Sequence, residues 1–189
     1  MSALSAVAGK GVAKKEAERS EALQVLTFWM HGEMFAVGIL QVKEIIEYGQ
    51  VTEIPLMPAF IRGVINLRGS VVPVVDLGAR FGYERQQIGR RSCIVIVEMR
   101  TDEGSHDMGM VVDSVSEVLE VAAADIEPPP SFGAKIRADF IQGMSKINGK
   151  FVILLNTERV LSVDEMALLL AARAQGNALA DLRPTEKAT

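Results

Sequence analysis

Residues 60–76 (FIRGVINLRGSVVPVVD) align without a gap on residues 140–156 (FIQGMSKINGKFVILLN). Five of the 17 pairs are identical: Phe60/Phe140, Ile61/Ile141, Gly63/Gly143, Gly69/Gly149 and Val72/Val152. Average composition gives about one identity by chance in such a window. Val74/Leu154, Val75/Leu155 and Asp76/Asn156 are conservative pairs, and a weaker echo aligns Val42 with Val115 and Glu44 with Glu117. A chain that repeats itself once at this spacing points to two similar units. The period is too long for a solenoid, and units of about 65–70 residues suit small β-barrels.

Local patterns agree with a mostly β fold. Gln24–Met30 is a strand-like run that His31-Gly32 turns into a second strand, Met34–Val37. Val64–Leu67 and Val71–Val75 flank Arg68-Gly69-Ser70, and Met144–Ile147 and Phe151–Leu155 flank Asn148-Gly149, the pair favoured in type I′ hairpin turns. Cys93–Glu98 is apolar enough for a buried strand with a buried thiol, and Met108–Val112 and Val115–Val121 follow a polar loop, Thr101–Asp107. Ile39–Ile46 mixes helical and strand spacing and stays open. Ser162 and Glu165 form a capping box ahead of Met166, Leu169, Leu170 and Arg173, which predicts a C-terminal helix that Gly176 can stop. The expected organisation is a flexible tail over 1–21, a domain over 22–171, and the helix end and a polar tail over 172–189. Within the domain, barrels of roughly 22–88 and 91–160 precede the helix from 162.

Several function classes are excluded at this level. The longest stretch free of Asp, Glu, Lys and Arg is Ala22–Gly32, 11 residues, where a spanning helix needs about 20. No direct membrane insertion is expected. Met1–Gly9 lacks the basic start of a secretory signal, and the single Cys93 has no disulfide partner within the chain, so a cytoplasmic setting is expected. Net charge is −4, with one Trp and two Tyr; a nucleic-acid binder would need a basic, aromatic-bearing face.

Motifs that could carry chemistry have simpler explanations. Gly143–Phe151 looks like a phosphate loop, but five residues separate its glycines and Phe151 stands where a Ser or Thr would hold magnesium. Asp102–Asp107 lacks the alternating ligands of a calcium loop and the second histidine of a zinc site. His31 has no nearby Ser or Cys to activate and reads as a turn residue. Glu44 and Glu47 lack a pocket that would split their acid and base roles. No catalytic, metal or cofactor site is expected. What remains is surface: Ile39, Val42, Ile45 and Ile46, mostly core but more apolar than a half-exposed segment needs, and Arg68 at a hairpin tip.

Taken together, Val42-Lys43-Glu44-Ile45, Pro58–Gly69 (PAFIRGVINLRG), Val72–Leu77, Val111–Leu119 and Glu165–Leu169 resemble the CheW-type chemotaxis coupling proteins over about residues 22–171. The resemblance implies two five-stranded SH3-like β-barrels and a non-enzymatic adaptor. The adaptor would join the cytoplasmic tip of a chemoreceptor to the regulatory domain of a CheA-type histidine kinase, alternate in rings with that domain or with other copies of its own kind, and be recruited to membrane-associated arrays. It implies a kinase-binding set of Glu44, Gly63, Asn66 and Arg68, with a Glu44–Arg68 ion pair, and a receptor-binding set of Ile39, Val42, Val115 and Val118. The alternative is a coupling module of a paralogous, non-motility pathway.

Overall fold

The computed structural model describes residues 22–101, 104–130, 136–162, 164, 165 and 167. The expected tail over 1–21, most of the C-terminal helix and the segment 172–189 lie outside the described residues.

Ten strands follow one another: β1 (Ala22–Met30), β2 (Glu33–Gly38), β3 (Val42–Glu47), β4 (Ile61–Leu67), β5 (Ser70–Asp76), β6 (Cys93–Thr101), β7 (Gly104–Val112), β8 (Ser114–Ala122), β9 (Ile141–Ile147) and β10 (Lys150–Leu155). Two short helices, α1 (Leu77–Arg80) and α2 (Thr157–Val160), follow β5 and β10. The undecided segment 39–46 is a 3-10 turn, Ile39–Gln41, leading into β3.

The strands form two five-stranded sheets, β8-β1-β2-β10-β9 and β3-β6-β7-β5-β4. Their membership corrects the division at 22–88 and 91–160. The second sheet is a continuous stretch from β3 to β7; the first is assembled from the β1–β2 hairpin and the later strands β8–β10. Each repeat is a hairpin, a lone strand and a second hairpin, and the two repeats have exchanged their leading hairpins. Equivalent parallel pairings mark the exchange: Leu154 lies opposite Ala36 on β2, and Val74 lies opposite Gly109 on β7. Edge closure repeats as well. Thr52 bridges to Val64 beside β4, and Glu127 bridges to Met144 beside β9.

The repeat is visible in the caps too. The Asp76 amide donates to the Phe60 carbonyl (2.7 Å) and the Asn156 amide to that of Phe140 (2.8 Å). Each side chain then accepts from the third residue onward, Ala79 or Arg159, satisfying a free amide at a helix start.

Three apolar clusters result. Ile65, Val72, Val74, Ile94, Ile96 and Val111 fill the second sheet's own core, and Val25, Ala36, Val121, Val152 and Leu154 that of the first. The largest cluster joins Phe28, Phe35 and Leu155 to Val95, Val97 and Met110, so it draws on both sheets. β6 contributes to two clusters, which is why its sequence is continuously apolar rather than alternating.

Two local expectations change. Cys93 is half-buried, its Sγ donating to the Arg91 carbonyl (3.3 Å), because it begins the strand where cover is incomplete. The polar stretch after Glu98 is largely strand: Glu98 pairs with Asp107, Met99 with His106 and Arg100 with Ser105. Backbone pairing continues there without the apolar side chains that would have announced it.

Candidate partner-binding surfaces

The β4–β5 turn is built by two consecutive left-handed residues, Arg68 (φ 51°) and Gly69 (φ 91°). The turns at His31-Gly32 and Asn148-Gly149 use the same left-handed pair. Asn66 Oδ1 accepts from the Gly69 amide (2.9 Å) and pins the turn. Arg68 is thereby aimed at β3, where its Nη2 meets Glu44 Oε2 at 3.0 Å; the Arg68 side chain is 78% exposed and that of Glu44 21%. The expected ion pair is therefore formed, in solvent. Gly63 is buried and has no side chain to offer; it lets the chain at Thr52 lie against β4, with Thr52 and Val64 exchanging two 2.9 Å hydrogen bonds. Glu44, Asn66 and Arg68 are one constellation, and Gly63 supports it from beneath.

The apolar set divides differently. Ile39, Val42 and Val115 are half-buried against the large shared cluster, which places all three at the margin where the sheets meet. Val118, on β8 opposite Leu26, is 51% exposed. Sequence reasoning missed Leu40, which is 96% exposed on the 3-10 turn beside Ile39, whereas Ile45, singled out in the sequence, is exposed. A half-apolar, half-charged segment disguises such positions, because neither a helical nor a strand period fits it.

Two larger charged networks lie elsewhere. Arg62 stacks over Tyr48 and donates to the Gln86 carbonyl, with its Nε 3.6 Å from the buried Asp76 carboxylate. Asp76 accepts from the Gln86 amide (2.9 Å); Gln86 Nε2 donates to Asp113 (2.6 Å), whose other oxygen accepts from the His31 amide (2.8 Å). His31 also stacks on Tyr83 (4.8 Å), the structural turn role expected of it. In the other group Arg137 bridges Asp139 and Glu165. Its hydrogen bond holds the Asp139 carboxyl below its ordinary value. Burial opposes ionisation of Glu165, yet Arg137 and Arg80 together hold that carboxyl low as well. Both carboxylates therefore favour the folded state at neutral pH, and that contribution fades as pH falls through their lowered folded values. Among the described residues, no group of three His, Cys, Asp or Glu side chains could hold a metal ion.

The family model for a CheW-like domain matches residues 24–165. The chain is 34% identical to the chemotaxis protein CheW of Klebsiella aerogenes, over 86% of this chain and 96% of that one. It is 32% identical to the chemotaxis protein CheW of Rhizobium meliloti, over 75% and 89%. It is 33% identical to the protein FrzA of Myxococcus xanthus, over 64% and 73%. Among solved structures, the scaffolding protein TtCheW of Thermoanaerobacter tengcongensis superposes with a TM-score of 0.67 at 33% identity, covering 73% of this chain and 86% of that one.

Proposed function

Because the chain belongs to the CheW-like family, a family of chemotaxis scaffolds rather than enzymes, we propose that it couples a chemoreceptor's cytoplasmic tip to the regulatory domain of a CheA-type histidine kinase. The observation that carries this reading is Arg68. It holds a left-handed conformation that costs a non-glycine residue about 1–2 kcal/mol, where its counterpart in the other repeat is the more tolerant Asn148. An exposed ion pair returns only about 0–1 kcal/mol. Stability alone does not account for an arginine at this tip, whereas presentation of a guanidinium to a partner does.

Calorimetric titration against the isolated regulatory domain of the cognate kinase tests the proposal. Saturable 1:1 binding is expected, weakened about tenfold or more by Arg68→Ala with the thermal transition unchanged. A folded protein that binds no such domain overturns it.

The receptor tip, a helical hairpin by family resemblance, would dock at the margin formed by Ile39, Val42 and Val115, with Val118 as the exposed anchor, in the helix-in-groove mode. Val118→Asp is expected to weaken binding of a receptor fragment at least tenfold while leaving kinase binding within about twofold, since its side chain stands in solvent. Val115→Asp should also lower stability, because Val115 packs on the shared cluster. Equal loss of both partners in folded Val118→Asp protein would defeat the assignment of this face.

Recruitment to membrane-associated arrays would come through the receptor; among the described residues no helix is long and apolar enough to cross a membrane. Many modest contacts, including those with other copies in a ring, would then add through multivalency. The alternative reading is coupling in a paralogous pathway. Binding to one kinase paralogue and not another separates the two.

A further inference from the structure

The 3-10 turn Ile39–Gln41 carries Ile39 and leads into Val42, yet it does little to hold itself in place. It has no buried residue and no side-chain cap, and it closes through a backbone bond from the Val42 amide to the Ile39 carbonyl. A further anchor reaches it from the other repeat. Thr157 Oγ1, on the first residue of α2, donates to Gln41 Oε1 (2.8 Å).

Thr157 departs from the repeat at this point. It opens α2 as Leu77 opens α1, and Leu77 is fully buried. Thr157 is 2% exposed. A buried hydroxyl costs free energy unless it is hydrogen-bonded, so packing alone would favour a second leucine, and the bond to Gln41 gives the hydroxyl its use. α2 is a single helical turn, closed by the Val160 amide on the Asn156 carbonyl (2.9 Å) and the Leu161 amide on that of Thr157 (2.8 Å).

The far end of α2 is fixed as firmly. Val160 is fully buried, and its carbonyl accepts from Arg80 Nε (2.9 Å). Arg80 and Val160 are the last residues of α1 and α2, so equivalent positions of the two repeats meet here. The Arg80 side chain is 5% exposed, with its guanidinium 4.9 and 4.7 Å from the ring centres of Phe60 and Phe140, the two phenylalanines that the repeat equates. A Glu165 carboxylate oxygen lies 3.2 Å from Arg80 Nη2, and Arg137 holds the other.

We propose that α2 is a strut between the repeat junction and the 3-10 turn, with Arg80 and Thr157 as positioning residues for the margin at Ile39 and Val42. Held at both ends and one turn long, α2 passes the position of the junction to Gln41. The turn owes its fixed place to a bond that crosses from one repeat to the other. The strut is a property of the free chain; its use in partner binding rests on the receptor reading above.

Amide hydrogen exchange of the full-length chain, read by NMR, tests the strut. Thr157→Val removes the hydroxyl and keeps the shape, and Thr157→Ser supplies the hydroxyl again. Arg80→Lys keeps the charge but loses the planar fork that reaches Val160 and Glu165 together. The Val42 amide is the reporter, and the Met110 and Val111 amides of β7 are the control for any loss of global stability. Thr157→Val and Arg80→Lys are each expected to raise the ratio of Val42 to β7 exchange rates at least fivefold, with Thr157→Ser within about twofold of the native ratio. A ratio unchanged by either of the first two, or raised as much by Thr157→Ser as by Thr157→Val, overturns the proposal. Titration with a receptor fragment is expected to show binding at least threefold weaker in Thr157→Val, with kinase-domain binding within about twofold. Native receptor affinity in a Thr157→Val protein whose Val42 amide has loosened overturns the positioning role. A native protein that binds no receptor fragment defeats the receptor reading, and the exchange ratios still decide the strut.

Discussion

Gly63→Val is expected to be the most damaging single substitution in the hairpin block, lowering stability by about 3–5 kcal/mol. A side chain there would begin within 2.7 Å of the Thr52 carbonyl carbon and nearer still to its oxygen, at a φ of +145°. Backbone in that region costs a non-glycine residue about 1–3 kcal/mol. Pushing residues 51–52 away also breaks both Thr52–Val64 hydrogen bonds, each worth about 1 kcal/mol net. That is a large share of the roughly 5–15 kcal/mol that holds a domain together. Its repeat counterpart gives the control. A Cβ on Gly143 also meets close neighbours, the Ile126 Cγ2 and the Glu127 carbonyl oxygen (3.0 Å), but its φ is not in the left-handed region, so Gly143→Val should cost less than Gly63→Val. Urea titration monitored by Trp29 fluorescence would show both, and a Gly63→Val midpoint equal to that of the native protein would refute the argument. Kinase binding should fall with the folded fraction of Gly63→Val, because the glycine shapes the hairpin rather than touching a partner.

A loss of similar size is expected from Asp76→Ala. This fully buried carboxylate accepts from the Ala79 and Gln86 amides (3.0 and 2.9 Å) and faces Arg62, whose side chain is only 11% exposed. Removing one member of a buried pair strands the other charge and costs about 3–5 kcal/mol. Asp76→Asn also strands Arg62 but keeps an acceptor for the Ala79 amide, as Asn156 does for Arg159 in the other repeat, and should lose less by the worth of a cap, roughly 1 kcal/mol. Equal losses for the two variants would show that the charge alone matters and the cap does not. An unchanged denaturation midpoint in Asp76→Ala would remove the network from the account of stability altogether. Through Gln86 and Asp113 the same network reaches the start of β8 and the β1–β2 turn. Damage at Asp76 should therefore loosen the contact between the sheets as well as the second sheet itself.

Much of the fold was legible because hairpins are local. Arg68-Gly69 and Asn148-Gly149 announced their turns, and the apolar runs on either side pointed to β4, β5, β9 and β10. The 60–76/140–156 repeat announced two like units. The Glu44–Arg68 pair came from family resemblance rather than from spacing, since an ion pair across two strands leaves no periodic trace. Three features of the surface were not legible. The end of β6 and the start of β7, where Arg100 pairs with Ser105 and Glu98 with Asp107, carry polar side chains where they pair beyond the core. Leu40 sits on a 3-10 turn, and a groove lined by Ile54 and Val71 combines residues far apart in the chain.

The sequence by itself determined the class of the fold, its duplication and the chemistry available: turn residues, strand periods and a composition without a catalytic constellation are local quantities that any neighbour must respect. Only the tertiary structure decided which hairpin completes which sheet. The apolar pattern of β1–β2 states that its faces will be buried but carries no label for its partner, and two similar repeats offer two similar sites. The exchange, the shared cluster it creates and the Arg62–Asp76–Gln86–Asp113 chain between the sheets all depend on contacts between residues distant in sequence. Their stability comes from burying both faces of strands such as β6, a gain that exists only once the two sheets have come together.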